Sequence, residues 1–257
     1  MTHMKTDISI IIPVLNEQEG INQAIENIYQ QDFSGTLEVI VVDGGKNGST
    51  ICCVKNKDVI TVVSPPGRGR QMNSGARMAS GNILLFLHCD TSLPEGGLNA
   101  VQTVMENLSV KAGAFDLSID GRDFFYRMVE KTASLRSRIT RIPYGDQAVF
   151  IRKNYFFDIG QYREIPIMED VDLMVRIKQD KGRLKFINIR TSTSSRRWEQ
   201  EGRIYGTLRN WAILTLFFLG VKPEKLAGVY KIKGSNKGGL TDLKSVNPPK
   251  IKIDSSD

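Results

Sequence analysis

Five apolar residues in a row, Ile83–Leu87, are entered through Gly81-Asn82 and left through His88-Cys89-Asp90-Thr91. An uncharged run this short suits a strand covered on both faces, as in the middle of a parallel sheet. Its abrupt polar exit sets a carboxylate, Asp90, at the strand's carboxyl end. In open α/β sheets that edge is where ligands bind.

Upstream, Ile8–Ile12 holds four isoleucines and leaves through Pro13, the pattern of a second buried strand. Asn16-Glu17 is expected to open a helix, with Glu17 and Glu19 in a first turn whose positive dipole end favours carboxylates. Ile21, Ala24, Ile25 and Ile28 follow at helical spacing. Leu37–Val42 is a strand that again ends in an acid, Asp43, before Gly44-Gly45. Val59–Val63 makes another strand. Pro65-Pro66-Gly67 then leads to a basic turn, Arg68-Gly69-Arg70, and a helix over Gln71–Ala79 that buries Met72, Ala76 and Ala79. Strands alternating with helices imply right-handed crossovers and a doubly wound, mostly parallel sheet of the α/β class.

Downstream, Pro94–Leu108 reads as a helix, Ala112–Leu117 as a strand and Phe124–Thr140 as a long basic helix with Arg127, Arg136 and Arg138, followed by Arg141. Tyr144-Gly145-Asp146-Gln147 is a polar turn into a strand over Ala148–Ile151. Pro166-Ile167-Met168-Glu169-Asp170 opens a helix that turns Val171, Met174, Val175 and Ile177 inward, and Leu184–Ile189 is a last strand. Tyr205–Leu219 is a helix with an apolar end, Trp211–Leu219, too short for a membrane span of ~20 apolar residues.

Two familiar nucleotide signatures are missing. Gly67-Arg68-Gly69 begins like a dinucleotide fingerprint, but Met72 stands at the third glycine's place and the turn does not follow the first strand. No P-loop sequence occurs. The net charge of +7 favours anionic partners. Cys52, Cys53 and Cys89 have no zinc-ligand spacing and fit reduced thiols. Met1–Asp7 lacks the apolar core of a signal peptide, so a cytoplasmic place is expected. Residues 6–230 read as one domain, with a nucleotide-binding half over 6–91 and an acceptor half with C-terminal helices over 92–230. Residues 231–257 read as a mobile basic tail by composition.

Several motifs come in a telling order. They are Pro13-Val14-Leu15-Asn16-Glu17, Val41-Val42-Asp43-Gly44-Gly45, Asn73-x-Gly75-x-x-x-Ala79-x-Gly81, Asp90, and Met168-Glu169-Asp170. The ordered set resembles a family 2 glycosyltransferase of the GT-A fold over most of the chain. Arg68-Gly69-Arg70-Gln71-Met72-Asn73, Leu87-His88-Cys89-Asp90-Thr91, Tyr144-Gly145-Asp146-Gln147 and Arg196-Arg197-Trp198-Glu199 are similar to the radical-SAM/selenodomain-associated transferase 2 subfamily. The resemblance implies a GT-A-like sheet with helices on both faces and a C-terminal helical segment. It implies inverting, metal-dependent transfer of a sugar from a nucleotide-sugar donor, UDP-linked by expectation, to a hydroxyl acceptor.

Within that resemblance the donor site takes Pro13, Asn16, Glu17, Asp43, Arg68, Arg70, Asn73, His88 and Asp90. Asp43 has the family role of reading a uracil N–H; as a plain turn acid it would serve Gly44-Gly45. Asn16 and Glu17 hold the nucleoside, or cap a helix. Arg68 and Arg70 steady the diphosphate, or form a solvated turn. Asp90 stands at the last acid of the family's Asp-x-Asp motif and helps hold Mn²⁺ or Mg²⁺ on the diphosphate. His88 stands where the first acid is expected. It contacts ribose or phosphate, is a satisfied core histidine, or ligates the ion directly, where it would suit Mn²⁺ better than Mg²⁺. Asp170 is the general base, taking the acceptor hydroxyl's proton, with Glu169 as the weaker candidate. Asp146 and Gln147 contact sugar or acceptor, as do Arg197 and Trp198. Arg197-Trp198 matches the end of the Gln-x-x-Arg-Trp motif of processive members, but Ser194 stands where Gln should be, against a processive synthase.

Two other readings compete. A sugar nucleotidyltransferase of similar fold places a Gly-rich, arginine-containing loop after its first strand, where this chain has Leu15-Asn16-Glu17. An anion- or nucleic-acid-binding module needs a basic stripe with exposed aromatics; successive acids at strand ends argue against a nucleic-acid partner. The acceptor is read as lipid-linked, met at the inner face of an anionic membrane through Trp211–Leu219 and the lysines after it. The alternatives for that helix are a core position or a homodimer contact.

Overall fold

The structure is a computed structural model that describes residues 6–121, 123–196, 199 and 202–230. The expected tail over 231–257, and Arg197 and Trp198, lie outside the described residues. The strands are β1 (Ile8–Val14), β2 (Leu37–Asp43), β3 (Ile60–Val63), β4 (Ile83–Phe86), β5 (Thr91–Ser92), β6 (Val110–Asp120), β7 (Phe150–Arg152) and β8 (Arg183–Ser194). They form one sheet in the order β3-β2-β1-β4-β7-β6-β8-β5. The β3-β2-β1-β4 half is parallel throughout. β7 runs antiparallel between β4 and β6, and β6 and β8 return to parallel. The expected central strand is therefore central, with β1 on one side and β7 on the other.

Helices cover both faces, and the alternation of β1 shows why. Ile8, Ile10 and Ile12 pack with Ile21, Ile25 and Ile28 of α1 (Ile21–Tyr29) and with Leu98 and Val101 of α3 (Gly97–Glu106). Ile11 faces the other way, into Met72 and Ala76 of α2 (Arg68–Met78) and Met174 and Ile177 of α6 (Glu169–Gln179). Successive strand residues point to opposite faces, so a run of isoleucines feeds two cores. Gly75 lets α2 lie flat on the sheet. A Cβ there would stand 2.5 Å from Ile11 Cγ2.

Several local expectations change. Asn16-Glu17 does not open α1. Asn16 takes a left-handed φ of 59°, and the helix starts at Ile21 after Gly20. Glu17 is held back in the turn, its N–H donating to Thr50 Oγ1 at 3.1 Å and its carbonyl accepting from Gly20 and Ile21. Neither Glu17 nor Glu19 lies in the first helical turn. Arg68-Gly69-Arg70 is the first turn of α2 rather than a loop before it. β6 and β8 outrun their expected spans because they pair with each other along most of their length. Ala148 sits at φ 45° outside the strand expected to include it.

α4 (Phe124–Thr140) packs on β6, with Tyr126 and Val129 against Leu117 and Ile119. Two unexpected helices appear, α5 (Lys153–Asp158) and α8 (Pro223–Tyr230). α7 (Arg203–Phe218) is half core: Ile213 is fully buried against Ile167 and Leu226, while Leu208, Trp211 and Phe218 are exposed. Among the described residues no helix is long and apolar enough to cross a membrane.

Candidate active site

Three parallel strands, β1, β2 and β4, end on the same edge of the sheet, and the chemistry-bearing residues gather there. Gln71 ties that edge together. Buried in α2, its Nε2 donates to Val14 O at 2.7 Å and to Val42 O at 2.8 Å, joining the last turns of β1 and β2 to one helix.

A cleft of about 110 Å³ opens beside this edge. Arg68, His88, Asp90, Tyr144, Asp146 and Asp170 line it. Asp90 follows the central strand and is exposed; its carbonyl accepts from Ser194 N at 3.0 Å, which docks the end of β8 against it. Glu17 stands near. Arg196 Nη2 lies 3.5 Å from Glu17 Oε2. Burial raises the Glu17 pKa and Asp90 adds to the rise, while Arg196 opposes both. Burial also pushes the Cys89 thiol up to about 12, with Glu17 and Asp90 contributing, so this cysteine is no thiolate nucleophile.

Across the cleft, Asp170 stands in the first turn of α6, where the helix dipole favours a carboxylate. Its Oδ2 accepts from Gly145 N and its Oδ1 from Val171 N, both at 2.8 Å. Met168, at φ 67°, precedes the helix in a left-handed conformation. Gly145 has no room for a side chain: a Cβ would stand 2.6 Å from His88 Nε2 and 3.5 Å from Asp170 Oδ2. His88 and Asp170 therefore flank the same glycine. Arg136 of α4 stacks on Tyr144, its guanidinium carbon 3.6 Å from the ring centroid. Burial, opposed by Arg136, moves the Tyr144 phenol up to about 12, so it stays protonated.

The expected residues divide sharply. Arg68, His88, Asp90, Asp146 and Asp170 meet in the cleft. Glu169 does not line it. Its side chain is buried, 2.7 Å from Arg68 Nε, and burial raises its pKa despite that cation. Glu169 is thus tied to Arg68 behind the cleft wall, whereas Asp170 lines the cleft itself. Asn73 is used inside the fold: it donates to Tyr162 O at 2.9 Å and accepts from Tyr162 N at 3.0 Å. Arg70 turns outward to Glu164 at 2.7 Å, an exposed pair. Gln147 is buried, donating to Phe115 O and accepting from Ser137 Oγ, so it braces α4 against β6 and contacts no cleft. Asp43 has no exposed surface; its carboxylate accepts from Gly45, Thr50 and Ile51 amides at 2.8, 2.7 and 3.3 Å. That geometry fits its turn role. Pro13 is a half-buried strand residue paired with Val42, and Asn16 is exposed in the turn after it.

Other cleft residues escaped the sequence reading. Tyr144 belongs to the polar turn before β7, and nothing in that turn marks its ring as cleft lining. Asn210 and Tyr230 arrive from α7 and α8. Nothing local marks them, because only the folding back of two helices brings them there.

Asp90 offers carboxylate oxygen to the cleft, the chemistry a hard divalent cation takes. Among the described residues no group of three or more His, Cys, Asp or Glu side chains could hold a metal ion alone. Asp90 could supply one carboxylate ligand to such an ion, and the remaining positions would have to come from outside the protein side chains.

Comparison with known proteins bears on the family and the fold. An uncharacterized glycosyltransferase of Mycobacterium tuberculosis is 26% identical over 153 residues, 58% of each chain. A GalNAc(5)-diNAcBac-PP-undecaprenol β-1,3-glucosyltransferase of Campylobacter jejuni is 31% identical over 102 residues, 37% of this chain and 33% of that one. The chain thus spans less than two thirds of the length of these relatives. Among solved structures, S. aureus TarS 1–349 superposes with a TM-score of 0.59 at 18% identity, covering 74% of this chain and 61% of that one. The mannosyltransferase PcManGT of Pyrobaculum calidifontis, in complex with GDP-Man and Mn²⁺, gives 0.59 at 19%, covering 79% and 59%. These likenesses establish the GT-A fold. The sequence model described as glycosyl transferase family 2 matches residues 9–164, more than half of the chain, and to that family the chain belongs.

Proposed function

We propose that the chain transfers a sugar, with inversion, from a nucleoside-diphosphate sugar to a hydroxyl acceptor, with a divalent cation at Asp90. The observation that carries this reading is that Asp90, Asp170 and Arg68 line one cleft at the carboxyl edge of the sheet. A donor lying along the strand ends brings its diphosphate to Asp90 and Arg68. Arg68, held charged chiefly by Glu169, offers guanidinium donors to phosphate oxygens. A Mn²⁺ or Mg²⁺ ion, when bound, would neutralise charge on the departing diphosphate.

Asp170 accepts the proton of the acceptor hydroxyl as that oxygen attacks the anomeric carbon from the face opposite the diphosphate. The amides of Gly145 and Val171 fix the carboxylate's orientation. Asp146, Asn210 and Tyr230 stand where sugar or acceptor hydroxyls would lie. Solved relatives of this fold carry UDP-GlcNAc in one case and GDP-Man with Mn²⁺ in another, which supports a nucleotide-sugar donor without choosing the base. A lipid-linked acceptor is proposed from the undecaprenol-linked substrate named for the Campylobacter relative and from the exposed Trp211 and Phe218 of α7.

The test is slow donor hydrolysis. The protein is incubated with UDP- and GDP-sugars, with Mn²⁺, Mg²⁺ or chelator. Metal-dependent release of nucleoside diphosphate from at least one donor is expected. Release of pyrophosphate from a sugar phosphate and a nucleoside triphosphate would assign the nucleotidyltransferase reading instead.

A further inference from the structure

The long basic helix α4 has a second face unrelated to the cleft. Phe124, Met128, Leu135 and Ile139 are 84, 48, 59 and 72% exposed. At about 100° per residue their offsets place all four within an arc of about 60°. They form one apolar stripe on the solvent side of a helix whose opposite side, Tyr126 and Val129, is already buried on β6. Scattered exposed apolar residues need no explanation, but an aligned stripe does.

Charge selects what covers it. Arg127, Lys131 and Arg138 run alongside the stripe, and exposed Arg141 follows the last turn. Arg127 and Arg138 also pair with Glu130 and Asp116. The helix has a single acid, Glu130, and it is buried. The nearest exposed carboxylates, Asp120 and Asp123, come before the first turn. The outer surface of α4 is therefore apolar and cationic with no exposed anion on the helix itself. A second copy packed on it by a two-fold axis would set cations against cations. An anionic bilayer instead offers an apolar layer for the stripe and phosphates for the flanking Arg and Lys side chains, whose stems reach along the helix to the headgroups.

We propose that α4 is an interfacial helix that seats the protein on an anionic phospholipid surface. The same helix supports the cleft from within: Arg136 stacks on Tyr144, and Ser137 Oγ donates to Gln147 Oε1 at 2.6 Å. Seating α4 sets the Tyr144–Asp146 wall of the cleft close to the headgroups. Delivery of an amphipathic acceptor there rests on the transferase reading; the docking surface itself does not.

The experiment is co-sedimentation of the full chain with vesicles of phosphatidylglycerol and phosphatidylcholine, against phosphatidylcholine alone. Wild type is expected to bind only the anionic vesicles, with binding that falls as salt rises. Leu135→Ser/Ile139→Ser is expected to weaken it by about tenfold or more, from lost apolar burial, with unchanged circular dichroism because both positions are exposed. Lys131→Glu weakens it independently. Equal binding by wild type and the Ser variant overturns the proposal and moves the contact to another face such as α7. Negligible binding to both vesicle types also overturns it; a dimer in sedimentation velocity that the Ser variant dissolves then assigns the stripe to a contact between copies. Donor hydrolysis in the same soluble preparations reports on the transferase reading separately.

Discussion

Glu169 and Arg68 form an ion pair of 2.7 Å in which the carboxylate is almost wholly buried and the guanidinium looks into the cleft. The two motifs they come from are a hundred residues apart in the chain, so roughly the whole domain must fold before the pair exists.

That burial gives a pH signature. Burial outweighs Arg68 and raises the Glu169 pKa, so the folded protein holds this proton more tightly than the unfolded chain. The associated stability is complete below the ordinary carboxylate value and is lost as pH climbs through the raised one. Glu169→Gln removes that titration. Thermal melts from acid to neutral pH are expected to show the variant gaining on wild type as pH rises. The donor KM should rise more than kcat falls, since Arg68 loses its counter-ion. Parallel melting curves at every pH would refute this.

Asp90→Asn is expected to abolish the effect of Mn²⁺ on UDP binding in calorimetry while leaving the fold intact, because the side chain is exposed. If wild type binds UDP equally with and without Mn²⁺, Asp90 does not hold an ion.

Asp170→Asn keeps one acceptor oxygen for the neighbouring amides. Turnover should fall by about 10²–10⁴ with donor affinity retained, the range for losing a general base. A variant that loses donor binding yet turns over normally at saturation would move Asp170 into the donor site.

Gly145→Ala drives a methyl to within 2.6 Å of His88 Nε2. Forced overpacking of this kind costs about 1–3 kcal/mol, readable by urea denaturation. In Gly145→Ala/His88→Ala the clash is gone, so the double variant should be destabilised by less than the sum of the single ones. Strict additivity would mean that His88 is not what occupies that space.

Much of the fold was legible because its signals are local. Ile83–Leu87 announced a central strand, and the helical spacing of Ile21–Ile28 announced α1. The start of α1 was misread because Asn16-Glu17 looks like a cap, whereas Thr50, far along the chain, holds Glu17 in a turn. Asp90 and Asp170 were legible as acids at element ends. Asn73 and Gln147 turn inward in a way no motif shows, because a polar side chain can serve the ligand or the backbone and only tertiary contact decides. Tyr162 and Phe115, which claim them, carry no mark in the sequence. Asn210 and Tyr230 reach the cleft through helix packing alone.

The clamp made by Gln71 bears on the thermodynamics of ligand capture. With Val14 and Val42 carbonyls held by one amide, neither strand end can shift without the other, and both follow α2. The conformational freedom of that edge is lost during folding, so none is left to lose when a nucleotide arrives. Removing the amide, as in Gln71→Ala, transfers that ordering to the binding step. It should surface in calorimetry as a less favourable binding entropy, even though Gln71 does not line the cleft.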